Sequence, residues 1–239
     1  MKVMSTRNAG VDRLKVLVHG PAGAGKTYLA STTGNHRSTL VLSAEAGLLS
    51  LREFEISAVE ISSWEDLRNA YTWICRGCPL EDGSMPDDEY RWIVLDSISE
   101  IAESCLNSMK RKFNDGRQAY GEMGDVMIRL IKSFRDLPNH HVVMTCKQER
   151  AQDQSGLMLY GPSLPGRMVT QNISYLFDEV LALHVHIDED GKPDGRYFQC
   201  QRDNQYDCKD RSGSLGLFEP ASLNHIWDKI KTSVGGENA

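Results

Sequence analysis

No apolar run in this 239-residue chain approaches the ~20 residues needed to cross a bilayer. Residues 1–12 lack an apolar stretch between basic flanks. Neither a membrane partner nor a secretory signal is therefore expected, and the reading is a cytoplasmic protein. Cysteine is sparse, with six at 75, 78, 105, 146, 200 and 208, too few for a disulfide scaffold in a chain this long. Cys75 and Cys78 have the spacing of half a zinc site, but Cys200 and Cys208 make a loose second half. Positive charge is in deficit, with 27 Lys and Arg against 33 Asp and Glu and a net charge of −6. That argues against a surface wholly given to nucleic acid. Low-complexity tracts, repeats and obvious linkers are also missing. What remains is room for one α/β domain, over 14–231, between tails at 1–13 and 232–239.

What is present is concentrated in eight residues. Gly20-Pro21-Ala22-Gly23-Ala24-Gly25-Lys26-Thr27 completes the phosphate-loop pattern G-x-x-x-x-G-K-[ST]. Leu14 to His19 before it reads as a buried strand, and Thr27-Tyr28-Leu29-Ala30-Ser31 after it as the first turns of a helix. In that setting backbone N–H groups wrap a phosphate chain, with the positive end of the helix dipole behind them. The expected nucleotide-binding set is therefore Gly20, Pro21, Ala22, Gly23, Ala24, Gly25, Lys26, Thr27 and Tyr28. Lys26 would reach the outer phosphates and the Thr27 hydroxyl would hold Mg²⁺. No Asn-Lys-x-Asp guanine-reading motif occurs, which favours ATP.

The rest of the chain alternates strand and helix signals. Ser38–Ser43 and Ala58–Ile61 read as strands, and Ser63 caps a helix with Leu67, Ala70, Tyr71 and Ile74 on one face. Asp82, Asp87, Asp88 and Glu89 form an acidic loop, and Asp188 to Asp190 an acidic turn. Tyr90–Asp96 is a strand ending in an acid. Helical spacing follows through Met109, and again from Met123 to Phe134, with a polar stretch from Lys110 to Tyr120 between them. His141–Thr145 is a strand, and Gln148–Gly166 reads as a long polar loop. A short helix through Leu176 precedes a hairpin of strands near 181–187 and 196–201. Leu223, Ile226, Trp227 and Ile230 mark a final helix. Alternation of this kind predicts a mostly parallel central sheet flanked by helices, with the hairpin as its C-terminal extension.

Asp96, at the end of an apolar strand, fits the second Mg²⁺ acid of a nucleotide site, and equally fits a helix N-cap. The next residue is Ser97, where many ATPases carry a water-activating carboxylate. Glu45, just past the second strand in Ser43-Ala44-Glu45-Ala46-Gly47, stands at the edge where parallel sheets bind ligands. It is the expected catalytic base, the other reading being a cap of the next segment, with Glu100 in reserve.

The phosphate loop, Ser-Ala-Glu-Ala-Gly (43–47) and Leu-Asp-Ser-Ile (95–98) resemble the RecA-like P-loop ATPase core. Gln118–Gly124, Met144–Glu149, Leu164–Arg167 and Phe177–Val180 narrow the likeness. They are similar to phage-encoded, core-only, AAA-family RecA-like proteins grouped with phage recombinases and single-strand annealing proteins. The resemblance implies a ring or filament of identical chains on single-stranded DNA, in the bacterial host cytoplasm, with a single-strand-binding protein as a further partner. It implies DNA loops at 110–124 and 149–166, and Lys110, Arg111, Lys112 and Arg117 would neutralise phosphates there while Phe113 or Tyr120 stack on bases. It gives Gln148 a relay role beside Lys26 and Glu45 in catalysis, although Thr145-Cys146-Lys147 departs from the family's usual pairing. It gives Lys209 and Arg211 contact with a neighbouring copy's ATP. Against this leading expectation stand a nucleotide-controlled adaptor with little turnover and a small-molecule kinase. The kinase fits poorly, because the 149–167 segment carries only Arg150 and Arg167 for a phosphate-binding lid.

Overall fold

The computed structural model describes residues 12–235 except 46, 87–88 and 153–155. Asp87 and Asp88 of the acidic loop, residues 1–11 of the expected N-terminal tail and 236–239 of the C-terminal one lie outside the described residues.

The fold is mixed α/β around one sheet. In chain order the strands are β1 (Lys15–Gly20), β2 (Thr39–Ser43), β3 (Ser57–Glu60), β4 (Trp92–Asp96), β5 (His141–Gln152), β6 (Met158–Ser163), β7 (Glu179–Ile187), β8 (Pro193–Gln199), β9 (Lys209–Asp210) and β10 (Phe218–Pro220). Strands β3, β2, β4, β5, β1 and β7 lie side by side and parallel. The β7–β8 hairpin and β10 then extend the sheet antiparallel, as the sequence predicted.

Every parallel strand except the edge strand β3, whose Ala58 and Glu60 are exposed, splits its side chains between two apolar layers, as the two-residue period requires. Leu17, Leu40, Leu42, Ile93, Leu95, Val142 and Met144 meet four helices: α1 (Trp64–Cys75), α2 (Ile98–Lys112), α3 (Gly116–Arg135) and α4 (Arg167–Ile173). Val16, Val18, Val41, Val94, Val143 and Leu181 face the other way, onto Leu29, Ala30 and helix α5 (Leu223–Gly235). Burial on both faces explains why these strands read as unbroken apolar runs. Ser63 caps α1 as expected, its hydroxyl accepting the Asp66 N–H at 3.1 Å. Helix α5 continues through Gly235, into the expected C-terminal tail.

Two expected loops are regular structure. Lys110, Arg111 and Lys112 form the last turn of α2, and Arg117 lies in the first turn of α3, whose N-cap is Asp115. Only residues 113–115 connect the two helices. Their polarity is that of exposed helix ends, where cations suit the negative end of α2. Likewise, most of Gln148–Gly166 is the far half of β5 paired antiparallel with β6. The β5 arm is largely exposed on both faces beyond Cys146, and β6 buries only Leu159 and Pro162, three residues apart, so no apolar alternation marked the ribbon as strand.

Candidate nucleotide site

The parallel strands end at one edge, and β1, β2, β4 and β5 deliver the predicted residues there together. The register sets Ser43 against Asp96 and Gly20 against Lys147. The loop after β1 turns through positive φ at Gly23 (77°) and Gly25 (96°), where L side chains are strained. It leads into a six-residue 3-10 helix, Thr27–Thr32, in place of the expected α-helix. Lys26 Nζ donates to the Gly20 and Pro21 carbonyls, each at 3.0 Å. The loop is thus closed on its own lysine.

Asp96 is buried, 1% exposed. Its Oδ2 accepts from the Thr27 hydroxyl and its Oδ1 from the Thr145 hydroxyl, each at 2.5 Å. The carboxylate is therefore aimed at the loop and does not cap α2, whose N-cap residue is Ser97. A hydroxyl and a carboxylate in direct contact are hard oxygen donors of the kind Mg²⁺ takes, one or two per protein site with the rest from phosphate and water. The residues present fit that ion.

Glu45 is placed by three bonds. Its N–H and that of Ala44 donate to the Asp96 carbonyl at 3.3 and 2.7 Å, and the Ser43 hydroxyl holds the Glu45 carbonyl at 2.6 Å. Its carboxylate Oε1 accepts from the Ser97 hydroxyl at 2.5 Å, so the side chain faces the site and caps nothing. Gly47 packs against Thr27; a Cβ there would lie 3.2 Å from the Thr27 hydroxyl. The reserve acid Glu100 is taken by Lys147, at 2.5 Å, with Glu103 at 2.8 Å on the same ammonium.

Gln148 lies beside the loop through His19, the residue just before Gly20. Burial pulls the His19 imidazole down to about 4, so it is neutral at physiological pH. Its Nε2 sits 3.0 Å from the Asp207 carbonyl and its Nδ1 3.0 Å from the Gln148 amide. A carbonyl only accepts, so Nε2 carries the hydrogen and Nδ1 a lone pair. Gln148 Oε1 is set against Nδ1, and the pair is satisfied only with that amide turned to present its NH₂ to the ring.

The other predicted residues do not join this group. Lys110 and Lys112 lie over the Tyr120 and Trp64 rings, at 5.5 and 5.7 Å. Arg111 lines a cavity of about 790 Å³ that also touches Glu45. Successive helix positions are turned by about 100°, so the three cations fan out. Lys209 and Arg211 stand at the opposite end of the sheet, beside the start of β7. Lys209 donates to the Ser174 and Phe177 carbonyls at 3.2 and 2.6 Å, and Arg211 pairs with Asp178 at 2.5 Å. All six cysteines are free thiols, and no group of three or more His, Cys, Asp or Glu that could hold a metal occurs among the described residues.

Sequence reasoning missed Thr145, Ser97, His19 and Arg196. The first three had a signal, since each is a polar residue at the end of an apolar strand that abuts the phosphate loop or the Asp96 strand. Arg196 had none, because its contact with Ala24 spans 172 positions.

The AAA domain family matches residues 12–212, the phosphate loop, Glu45, Asp96 and Gln148 among them. The chain belongs to that family. No curated protein matches it. An AAA domain is a nucleotide-binding P-loop ATPase unit. No helix among the described residues is long and apolar enough to cross a membrane.

Proposed function

We propose that this AAA domain binds Mg·ATP at the Gly20–Tyr28 loop and hydrolyses it with Glu45 as the base. The observation that carries the reading is the convergence of Thr27, Asp96, Ser97 and Glu45 through hydrogen bonds of 2.5 Å. Lys26 and the loop amides grip the β- and γ-phosphates, while Thr27 and Asp96 hold the magnesium. When bound, that ion neutralises charge developing on the phosphates. Glu45 takes the proton of the attacking water, and Ser97 fixes which carboxylate oxygen faces it. Gln148, tied to the phosphate-loop strand through His19, senses the γ-phosphate and passes its state to the β5–β6 ribbon.

The finer reading is a RecA-like protein that assembles as a ring or filament on single-stranded DNA and serves phage recombination or annealing. The basic end of α2, with the aromatic faces of Tyr120 and Trp64 under its lysines, supports the DNA contact. Lys209 and Arg211 lie on the face away from their own phosphate loop, the side that a neighbouring copy's nucleotide would meet. A second reading, an adaptor that binds ATP with little turnover, is favoured by one observation: the residue after Asp96 is Ser97, not a carboxylate.

Phosphate release measured with and without single-stranded DNA tests these together, with Lys26→Ala as control. DNA-stimulated turnover supports the leading reading, and tight binding with no turnover supports the adaptor. Turnover and affinity unchanged in Lys26→Ala would refute the phosphate-loop assignment.

A further inference from the structure

Arg196, on β8, reaches back across the sheet edge to the phosphate loop. Its Nε donates to the Ala24 carbonyl at 2.8 Å, and its guanidinium carbon lies 5.9 Å from the centre of the Tyr28 ring. It crosses the bare face of Gly25, where a Cβ would stand 2.6 Å from Nε. Gly25 is therefore glycine for two reasons, its φ of 96° and the arginine laid against it. Arg196 is exposed. It pairs with no carboxylate among the described residues, although 33 Asp and Glu give the chain its net charge of −6.

The loop thus carries two cations in the same condition. Lys26 donates to the Gly20 and Pro21 carbonyls, and Arg196 to the Ala24 carbonyl. Neither has an anionic partner among the described residues. A guanidinium has five N–H donors, and Ala24 takes one, which leaves the fork of both Nη groups for planar recognition of an oxyanion.

We infer that Arg196 is a second cation of the nucleotide site. The β7–β8 hairpin supplies it from the same chain, and its free Nη groups bind the polyphosphate of a nucleoside triphosphate. This rests on the nucleotide-site reading and adds to it a residue outside the loop motif. The hairpin thereby gains a part in binding, since β8 places the arginine and Tyr28 beneath the guanidinium keeps it over the loop. Nucleotide arrival adds phosphate oxygens at the Arg196 Nη groups beside the Ala24 bond, so the hairpin responds to the occupancy of the site.

The test compares wild type with Arg196→Gln, Arg196→Lys and Lys26→Ala by calorimetric titration of Mg·ATP at two ionic strengths, with melting curves taken without nucleotide. Glutamine keeps an N–H for the Ala24 carbonyl and loses the charge. Arg196→Gln is expected to bind about tenfold more weakly, the loss of roughly one charge-assisted pair, with a flatter salt dependence. Arg196→Lys is expected to bind between wild type and Arg196→Gln, since it keeps the charge but loses the fork and the planar contact with Tyr28. All nucleotide-free melting midpoints are expected to coincide. Arg196→Gln binding within about twofold of wild type overturns the inference, because a donor to Ala24 would then be all the site needs. So does a midpoint several degrees lower in that variant, which would make Arg196 a brace of the fold. Failure of the wild type itself to bind Mg·ATP, or Lys26→Ala binding as wild type does, brings down the nucleotide-site reading and this inference with it. Normal wild-type binding lost in Lys26→Ala and kept in Arg196→Gln removes the inference alone.

Discussion

Replacing Asp96 by asparagine separates what the site does for the fold from what it does for the ligand. Asp96 is 1% exposed and has two hydroxyl donors, from Thr27 and Thr145. A bond to a charged acceptor contributes about 1.5–3 kcal/mol, so two bonds roughly offset the several kcal/mol that it costs to bury a carboxylate. Asparagine keeps both contacts, because a threonine hydroxyl can accept from the amide NH₂ as readily as donate to its oxygen. The nucleotide-free melting midpoint is therefore expected to stay within about 3 °C of wild type, or to rise. Ligand stabilisation behaves oppositely. At about 100 times Kd a ligand contributes about 2.7 kcal/mol, which is about 5–10 °C at roughly 2–4 °C per kcal/mol for a chain of this size. With magnesium and ATP the wild type should show that shift and Asp96→Asn should lose its magnesium-dependent part. Melting followed by dye fluorescence, with ATP in magnesium and in EDTA, reads both. A variant that keeps the magnesium-dependent shift refutes the assignment of Asp96 to the ion, and a nucleotide-free midpoint about 10 °C lower makes the carboxylate a structural group instead.

Glu45→Gln is expected to lower kcat by about 100-fold or more with the Kd for Mg·ATP unchanged within about twofold; phosphate release and calorimetry check the two, and an undiminished kcat sends the base elsewhere. Glu179, buried at the start of β7 beside Asp210, has its carboxyl pushed up to about 8 by burial and by that neighbour, from an ordinary 4.5. The folded chain then holds a proton that the unfolded chain releases, so stability falls as pH rises from about 4.5 through 8. Glu179→Gln should flatten the melting midpoint across that window, and parallel curves for the two proteins would rule the effect out. Charge reversal at Lys110, Arg111 and Lys112 should weaken single-stranded DNA binding and flatten its salt dependence while basal ATPase stays near wild type; an unmoved DNA affinity, read by fluorescence anisotropy, removes the DNA role of the α2 end.

The parts legible in the sequence were those fixed by local signals. The phosphate loop needs glycine where φ is positive, and the Ser63 cap and the acid-ended strand β4 announce themselves within a few residues. The β7–β8 hairpin was legible because the polar run Asp188 to Lys192 separates its strands, although Pro193 to Gly195, which read as turn, already belong to β8. Lys110–Tyr120 misled because helix ends are polar for the same solvation reason that loops are, and Gly116 and Gly121 lowered its helical signal further. The β5–β6 ribbon misled because its β5 arm is exposed on both faces and β6 buries only Leu159 and Pro162, so neither carries a two-residue alternation. The site was legible as separate acids and a lysine, and its wiring was not. Thr145 to Asp96, His19 to Gln148 and Arg196 to Ala24 are contacts between segments far apart in the chain.

That wiring bears on one irregularity in the motif set. The position after Asp96, where a carboxylate would serve as base, is Ser97. The register places the end of β2 directly beside the end of β4, about 4.8 Å away. A carboxylate two residues beyond Ser43 can therefore occupy nearly the same space as one beside Asp96. The hydrogen bond from the Ser97 hydroxyl to Glu45 Oε1 at 2.5 Å ties the two positions together, and the two N–H groups donating to the Asp96 carbonyl hold the backbone that carries Glu45. On the proposed reading the base sits one strand sideways, and a serine links it to the acid proposed for magnesium. Because Ser97 is fully buried, water cannot easily substitute for its hydroxyl. The orientation of Glu45 is thus set by the same strand end that positions Asp96, so a disturbance of β4 reaches the metal-holding and proton-accepting groups together.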